Sequence, residues 1–112
     1  MELNQAVKSL AALAQEHRLA IFKLLIQAGP EGKAAGQVSE EVGISSSSLS
    51  FHMKELTHAG LVTSRNEGRY VIYSAQIKSM NELLAYLAEN CCGGNPCSPV
   101  AAVAFKIKAE SI

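Results

Sequence analysis

Apolar residues recur at helical spacing from the third residue onward. Leu3, Val7, Leu10 and Ala14 form one stripe, which predicts a helix over about Leu3 to Ala14. The pattern resumes in "EHRLAIFKLLIQAG", where Leu19, Phe22, Leu25 and Ile26 mark a second helical face. "GPEGK", Gly29 to Lys33, stops that helix, because Gly and Pro continue one only at a cost. A short helix over about Ala35 to Val42 turns Val38 and Val42 to the core. Gly43 then permits a tight left-handed turn. Ser45 suits the N-cap of the next helix, about Ser46 to Ala59, in which Leu49, Met53 and Leu56 recur and which Gly60 ends.

After that helix the period changes from 3.6 to 2. In "LVTSRNEGRYVIYSA" one extended run is Leu61 to Arg65 and another Arg69 to Ser74, with Val71 and Tyr73 alternating against Tyr70 and Ile72. "NEG" between them supplies turn chemistry for a β-hairpin. A last helix, about Ile77 to Glu89, carries Met80, Leu83, Leu84 and Leu87 and runs into Cys91. The two middle helices alone fit either a helix-turn-helix or an ordinary buried helical hairpin. A β-hairpin directly behind them reads as a wing. The expected fold is therefore mostly α with a β-hairpin wing, a winged helix-turn-helix. Residues 1–90 form its domain, and 91–112 a cysteine-containing tail with a short helix over 98–108 opened by Ser98 and Pro99.

Composition narrows the function classes. A chain of 112 residues implies one domain, part of whose apolar surface a partner chain can complete. With 48% hydrophobic and 18% charged residues it is globular rather than disordered. Ten Lys+Arg balance ten Asp+Glu, so no global basic field exists. Nucleic-acid binding then needs a local patch, doubled by dimerisation. No apolar run reaches the roughly 18 residues of a membrane span, so no membrane partner is expected. "MELNQAVKSL" lacks the basic and apolar regions of a secretory signal. The expected location is the cytoplasm, where thiols stay reduced.

Candidate DNA-reading residues cluster on the predicted recognition helix and wing. Ser46, Ser47, Ser48 and Ser50 are small donors and acceptors on its front turns; any one of them alone fits solvation or capping better, but as a group they favour DNA. His52 is placed to reach a base edge or phosphate, or else to pack, and Lys54 to reach a phosphate. Phe51 is expected in the core. Arg65 and Arg69 flank the expected wing tip as phosphate clamps.

"LAALAQEHRLAIFKLL", "SSSLSFHMKELTHAGLV" and "RNEGRYVIYS" resemble the ArsR/SmtB family of winged-helix metalloregulatory repressors, over nearly all of residues 5–90. The resemblance implies a homodimeric repressor. It binds double-stranded operator DNA when empty, with no cofactor, and releases it when a metal or metalloid binds. Arg18 falls on the family's second-helix Arg-Leu, a structural or backbone-contacting position. Where the family often has Arg beside the histidine, this chain has Phe51, which removes a direct guanine contact there. The first and last helices are expected to form the dimer interface through Leu3, Val7, Leu10, Leu83, Leu84 and Leu87.

Two of the family's sensor sites are missing. The helix before the recognition helix, "AGQVSEEVG", has no cysteine, and the last helix, "KSMNELLAYLAEN", no histidine. What remains is "CCGGNPC", the cluster of Cys91, Cys92 and Cys97, which looks like that of the arsenic-sensing subset. Three cysteines are an odd number, which argues against a disulfide framework. A sulfur-only set is soft. Trivalent arsenic and antimony keep a lone pair and take three ligands in a pyramid. "GGNP" can return Cys97 to the centre made by its neighbours, and the adjacent pair alone would suit a dithiol-preferring methylated arsenical. Cadmium and lead fit three thiolates as well, whereas zinc would need a fourth donor. A Cys92–Cys97 disulfide as a redox switch and three inert residues are the remaining readings. A thiol enzyme is disfavoured and no enzyme is expected: no cysteine sits at a helix N-terminus or in a phosphate-cradling loop. A metal carrier would leave the wing without a purpose.

Overall fold

The computed structural model describes residues 1–94. Helix α1, Leu3–Leu13, is followed by α2, Glu16–Ala28. The Gln15 side chain opens α2 by accepting the Arg18 backbone N–H at 2.9 Å. Gly29, at φ 73°, breaks it and begins a single 3-10 turn, Gly29–Glu31. Then come strand β1, Lys33–Ala34, and helix α3, Ala35–Val42. Gly43 at φ 79°, ψ 38° makes the left-handed turn, and Ser45 caps α4, Ser46–His58, by accepting the Ser48 N–H at 3.2 Å. Strands β2, Val62–Glu67, and β3, Tyr70–Ala75, precede α5, Ile77–Leu87.

The three strands form one antiparallel sheet in the order β1-β3-β2. β1 was not legible as a strand; two residues are too few for an alternating pattern. The hairpin is also longer and its turn tighter than expected. Its last pair is Glu67 opposite Tyr70, which leaves a two-residue turn of Gly68 and Arg69. Gly68, at φ 62°, holds the first central position, where primed hairpin turns need a left-handed residue.

One core joins the elements. Ile21, Phe22 and Leu25 of α2 meet Val38 of α3 and Leu49, Met53 and Leu56 of α4, with Leu61, Val62 and Ala75 closing it from the sheet side. This fixes α4 against α2 and α3 by its inner face. α1 is built the other way round. It buries the small residues Ala6, Ser9 and Ala12 and leaves Leu3, Val7 and Leu10 exposed. Of the interface residues expected on α5, Leu87 is exposed and Leu84 half-buried, but Leu83 is turned inward and only 6% exposed. Leu83 is thus part of the protomer's own packing, a correction to its expected interface role. Cys97 and the predicted helix over 98–108 lie outside the described residues. Among the described residues no helix is long and apolar enough to cross a membrane.

Candidate nucleic-acid interface

α4 turns Leu49, His52, Met53 and Leu56 inward. At 3.6 residues per turn the opposite face carries Ser47, Ser50, Phe51 and Lys54, and all four are exposed. Ser46 is also exposed, on the first turn. Backbone N–H groups of that turn point outward along the axis, where the helix dipole favours an anion. Ser48 is tied into the cap, its hydroxyl 3.1 Å from the Ser45 hydroxyl. The structure therefore gathers Ser46, Ser47, Ser50 and Lys54 on the outer surface and gives Ser48 a capping role.

Phe51 is 59% exposed, against the expectation that it belongs to the core. Its side chain is apolar, but its angular position on α4 is beside Ser47, about 40° round the helix and away from the stripe that packs. The ring meets the imidazole of His52 edge-on, with centroids 5.6 Å apart and planes at 69°.

His52 is 9% exposed and faces the protein, which corrects its expected contact with a base or phosphate. Arg18 Nη1 lies 3.4 Å from its Nδ1, and the His17 ring is 5.6 Å away between centroids. Burial lowers the His52 pKa below its ordinary 6.5, and the neighbouring Arg18 and His17 lower it further. Arg18 also donates from Nε to the Ala12 carbonyl at 2.6 Å. One guanidinium thereby caps a carbonyl at the end of α1 and holds the His52 ring on the inner side of α4.

On the wing the two arginines part company. Arg69 sits in the tip turn and is exposed. Arg65 does not flank the tip; it lies mid-strand opposite Ile72. Its guanidinium donates to the Glu31 carbonyl at 2.7 Å, to the Ser74 hydroxyl at 3.1 Å and to Glu67 at 3.0 Å. The expected phosphate clamp is instead a strap between the wing and the turn before β1. Sequence periodicity carried no signal for this, since the strap is closed by the Glu31 carbonyl, over thirty residues away.

The cysteines follow α5. That helix ends at Leu87, and Asn90 and Cys92 take left-handed conformations at φ 58° and 54°. A 3-10 turn follows over Cys91–Gly94, and the Cys91 and Cys92 sulfurs come within 3.6 Å. Cys91 is half-buried and Cys92 exposed. Among the described residues no group of three or more His, Cys, Asp or Glu side chains converges, and the third cysteine of the expected set is not one of them.

A family model described as a helix-turn-helix domain matches residues 13–65. The transcriptional activator HlyU of Vibrio cholerae is 38% identical over 89 residues, spanning 75% of this chain and 80% of HlyU. A putative arsenical resistance operon repressor of Halobacterium salinarum is 35% identical over 74% of this chain and 64% of its own length. Among solved structures, an ArsR-like transcriptional regulator from Rhodococcus superposes with a TM-score of 0.69 at 25% identity, covering 97% of this chain and 96% of that one.

Proposed function

From the premise that the chain belongs to the ArsR-like winged-helix transcriptional regulators, we propose that it is an arsenic-responsive repressor. It binds operator DNA as a homodimer and lets go when trivalent arsenic or antimony binds Cys91, Cys92 and Cys97. The observation that carries the DNA half is the exposed face of Ser47, Ser50 and Lys54 on α4, with Arg69 at the wing tip. Hydroxyls, a lysine and a helix N-terminus suit a phosphate backbone and base edges.

The inducer half rests on the 3.6 Å approach of the Cys91 and Cys92 sulfurs at the end of α5. Once the Cys92 disulfide is reduced, that spacing lets one soft ion bond both sulfurs, with Cys97 as the third thiolate of a pyramid. The Halobacterium relative bears an arsenical resistance name, which agrees with this choice. Binding releases DNA only if the ligand prefers the released dimer geometry to the DNA-bound one. α5 ends beside the cysteines and carries Leu84 and Leu87 toward the proposed interface, so a ligand there bears on how two protomers sit. The HlyU relative is named an activator, so repression here is a statement about where the operator lies and not about the fold.

A second reading is thiol oxidation: Cys92 is disulfide-bonded, and forming that bond from the Cys92 thiol and the partner proposed for it, Cys97, passes two electrons and two protons to a peroxide. The test is fluorescence anisotropy of labelled promoter DNA under reducing conditions, titrated with arsenite and in parallel with zinc and cadmium. Arsenite should release DNA from the native protein and leave Cys91→Ser and Cys92→Ser bound. DNA binding that ignores arsenite but ends with peroxide would transfer the sensor to oxidation.

A further inference from the structure

We propose that Phe51 reads the 5-methyl group of a thymine in the major groove, and so supplies an apolar base contact that the charged residues and serines of α4 do not. This rests on the DNA-binding reading above. The exposed residues of α4 are Ser46, Ser47, Ser48, Ser50, Phe51, Lys54, Glu55, Thr57 and His58. None is Arg, Asn or Gln; Lys54 and Glu55 are the exposed side chains that can pair with guanine or cytosine, and none of the polar groups reads thymine's methyl. Serine hydroxyls accept or donate to several bases and discriminate weakly. Phe51 is the only Phe, Tyr or Trp among them, and along the helix it lies between Ser47 and Lys54.

An aromatic ring 59% exposed in water carries an apolar area that protein does not cover in this chain. In the major groove the thymine methyl is the one apolar feature among the base edges, and contact with an apolar side chain is its known form of recognition. The ring is also braced. His52 holds its edge at 5.6 Å between centroids, and His52 is itself buried and held by Arg18. A braced ring loses little side-chain freedom on meeting a base, whereas the flexible Lys54 stem would lose more. The surface that exposes Leu3, Val7 and Leu10 is on α1, so Phe51 is not part of that apolar stripe.

The test begins by enriching duplexes from a random pool on the full-length protein. Each thymine of the enriched sequence is then replaced by uracil, which lacks only the methyl. Anisotropy is measured with the native protein and with Phe51→Ala, whose fold is checked by circular dichroism. At one thymine per half-site, uracil should weaken native binding about fourfold, the worth of one buried methyl group, and leave Phe51→Ala indifferent. If uracil changes nothing at any position for the native protein, the proposal is overturned while DNA binding stands. Equal sensitivity in both proteins also overturns it, since another residue would then be reading the methyl. If no duplex binds in a salt-dependent way, the DNA-binding reading falls and this one with it.

Discussion

Arg18 has only donors to offer, so the His52 Nδ1 beside it acts as acceptor and the ring proton sits on Nε2. Protonating Nδ1 would remove that acceptor and place a cation next to a guanidinium in a buried position. This is the physical content of the lowered His52 pKa, with burial the larger cause. The sign for stability follows. An unfolded chain protonates His52 near 6.5, while the folded one resists until lower pH. The native state then binds fewer protons, so the stabilisation is complete above 6.5 and is lost as pH falls through the lower folded value. Urea unfolding at a series of pH values between about 7.5 and 5 should show stability declining toward acid. His52→Gln should flatten that decline relative to the native protein. An unchanged slope would mean that the decline does not come from His52.

The wing is an element whose position depends on a two-residue strand and a strap. Gly32, at φ +70°, sits where an added Cβ would collide with the Tyr73 carbonyl and the Ser74 hydroxyl. Gly68, at φ +62°, has open space around the same position. Both substitutions to alanine strain the backbone, but only one forces β1 away from β3. Gly68→Ala should cost about 1 kcal/mol. Gly32→Ala should cost more, about 2–4 kcal/mol, by combining strain with a clash against backbone. Chemical denaturation distinguishes the two, and equal losses would show that β1 is free to move aside. Gly32 was not singled out from the sequence, because its constraint is a close approach across forty residues rather than a local turn. By contrast α3 over Ala35–Val42, the left-handed Gly43 and the Ser45 cap were all legible, since each follows from neighbours in the chain. The candidate site divides in the same way. Serine exposure on α4 follows from helical period, whereas the burial of His52 and the strap made by Arg65 depend on partners that only the fold supplies. Phe51 was misplaced because residue type outweighed angular position.

At the scale of the whole molecule the inverted polarity of α1 is the feature that a single chain does not explain. Its small residues face in and its large apolar ones face out, so the helix packs closely on its own protomer while Leu3, Val7 and Leu10 stand in water. Leu87 on α5 is exposed as well, at 57%. Apolar surface of this kind asks for cover, and a second copy is the cover that also makes functional sense. With ten basic and ten acidic residues, one recognition helix has little long-range attraction for DNA. Two copies related by a two-fold axis put two recognition helices on half-sites about 34–36 Å apart, and the second contact becomes intramolecular. Val7, 56% exposed, can be changed without touching the core. Val7→Asp should therefore keep its helical circular dichroism, sediment as a monomer at micromolar concentration, and bind operator DNA at least about a hundredfold more weakly. Leu83→Asp is the matching control. Leu83 is buried within the protomer, so that variant should lose folded signal rather than yield an intact monomer. If Val7→Asp stays dimeric, the copies meet through another face. The exposed stripe on α1 would then need a different partner, and the coupling proposed from α5 to the recognition helices would lose its route.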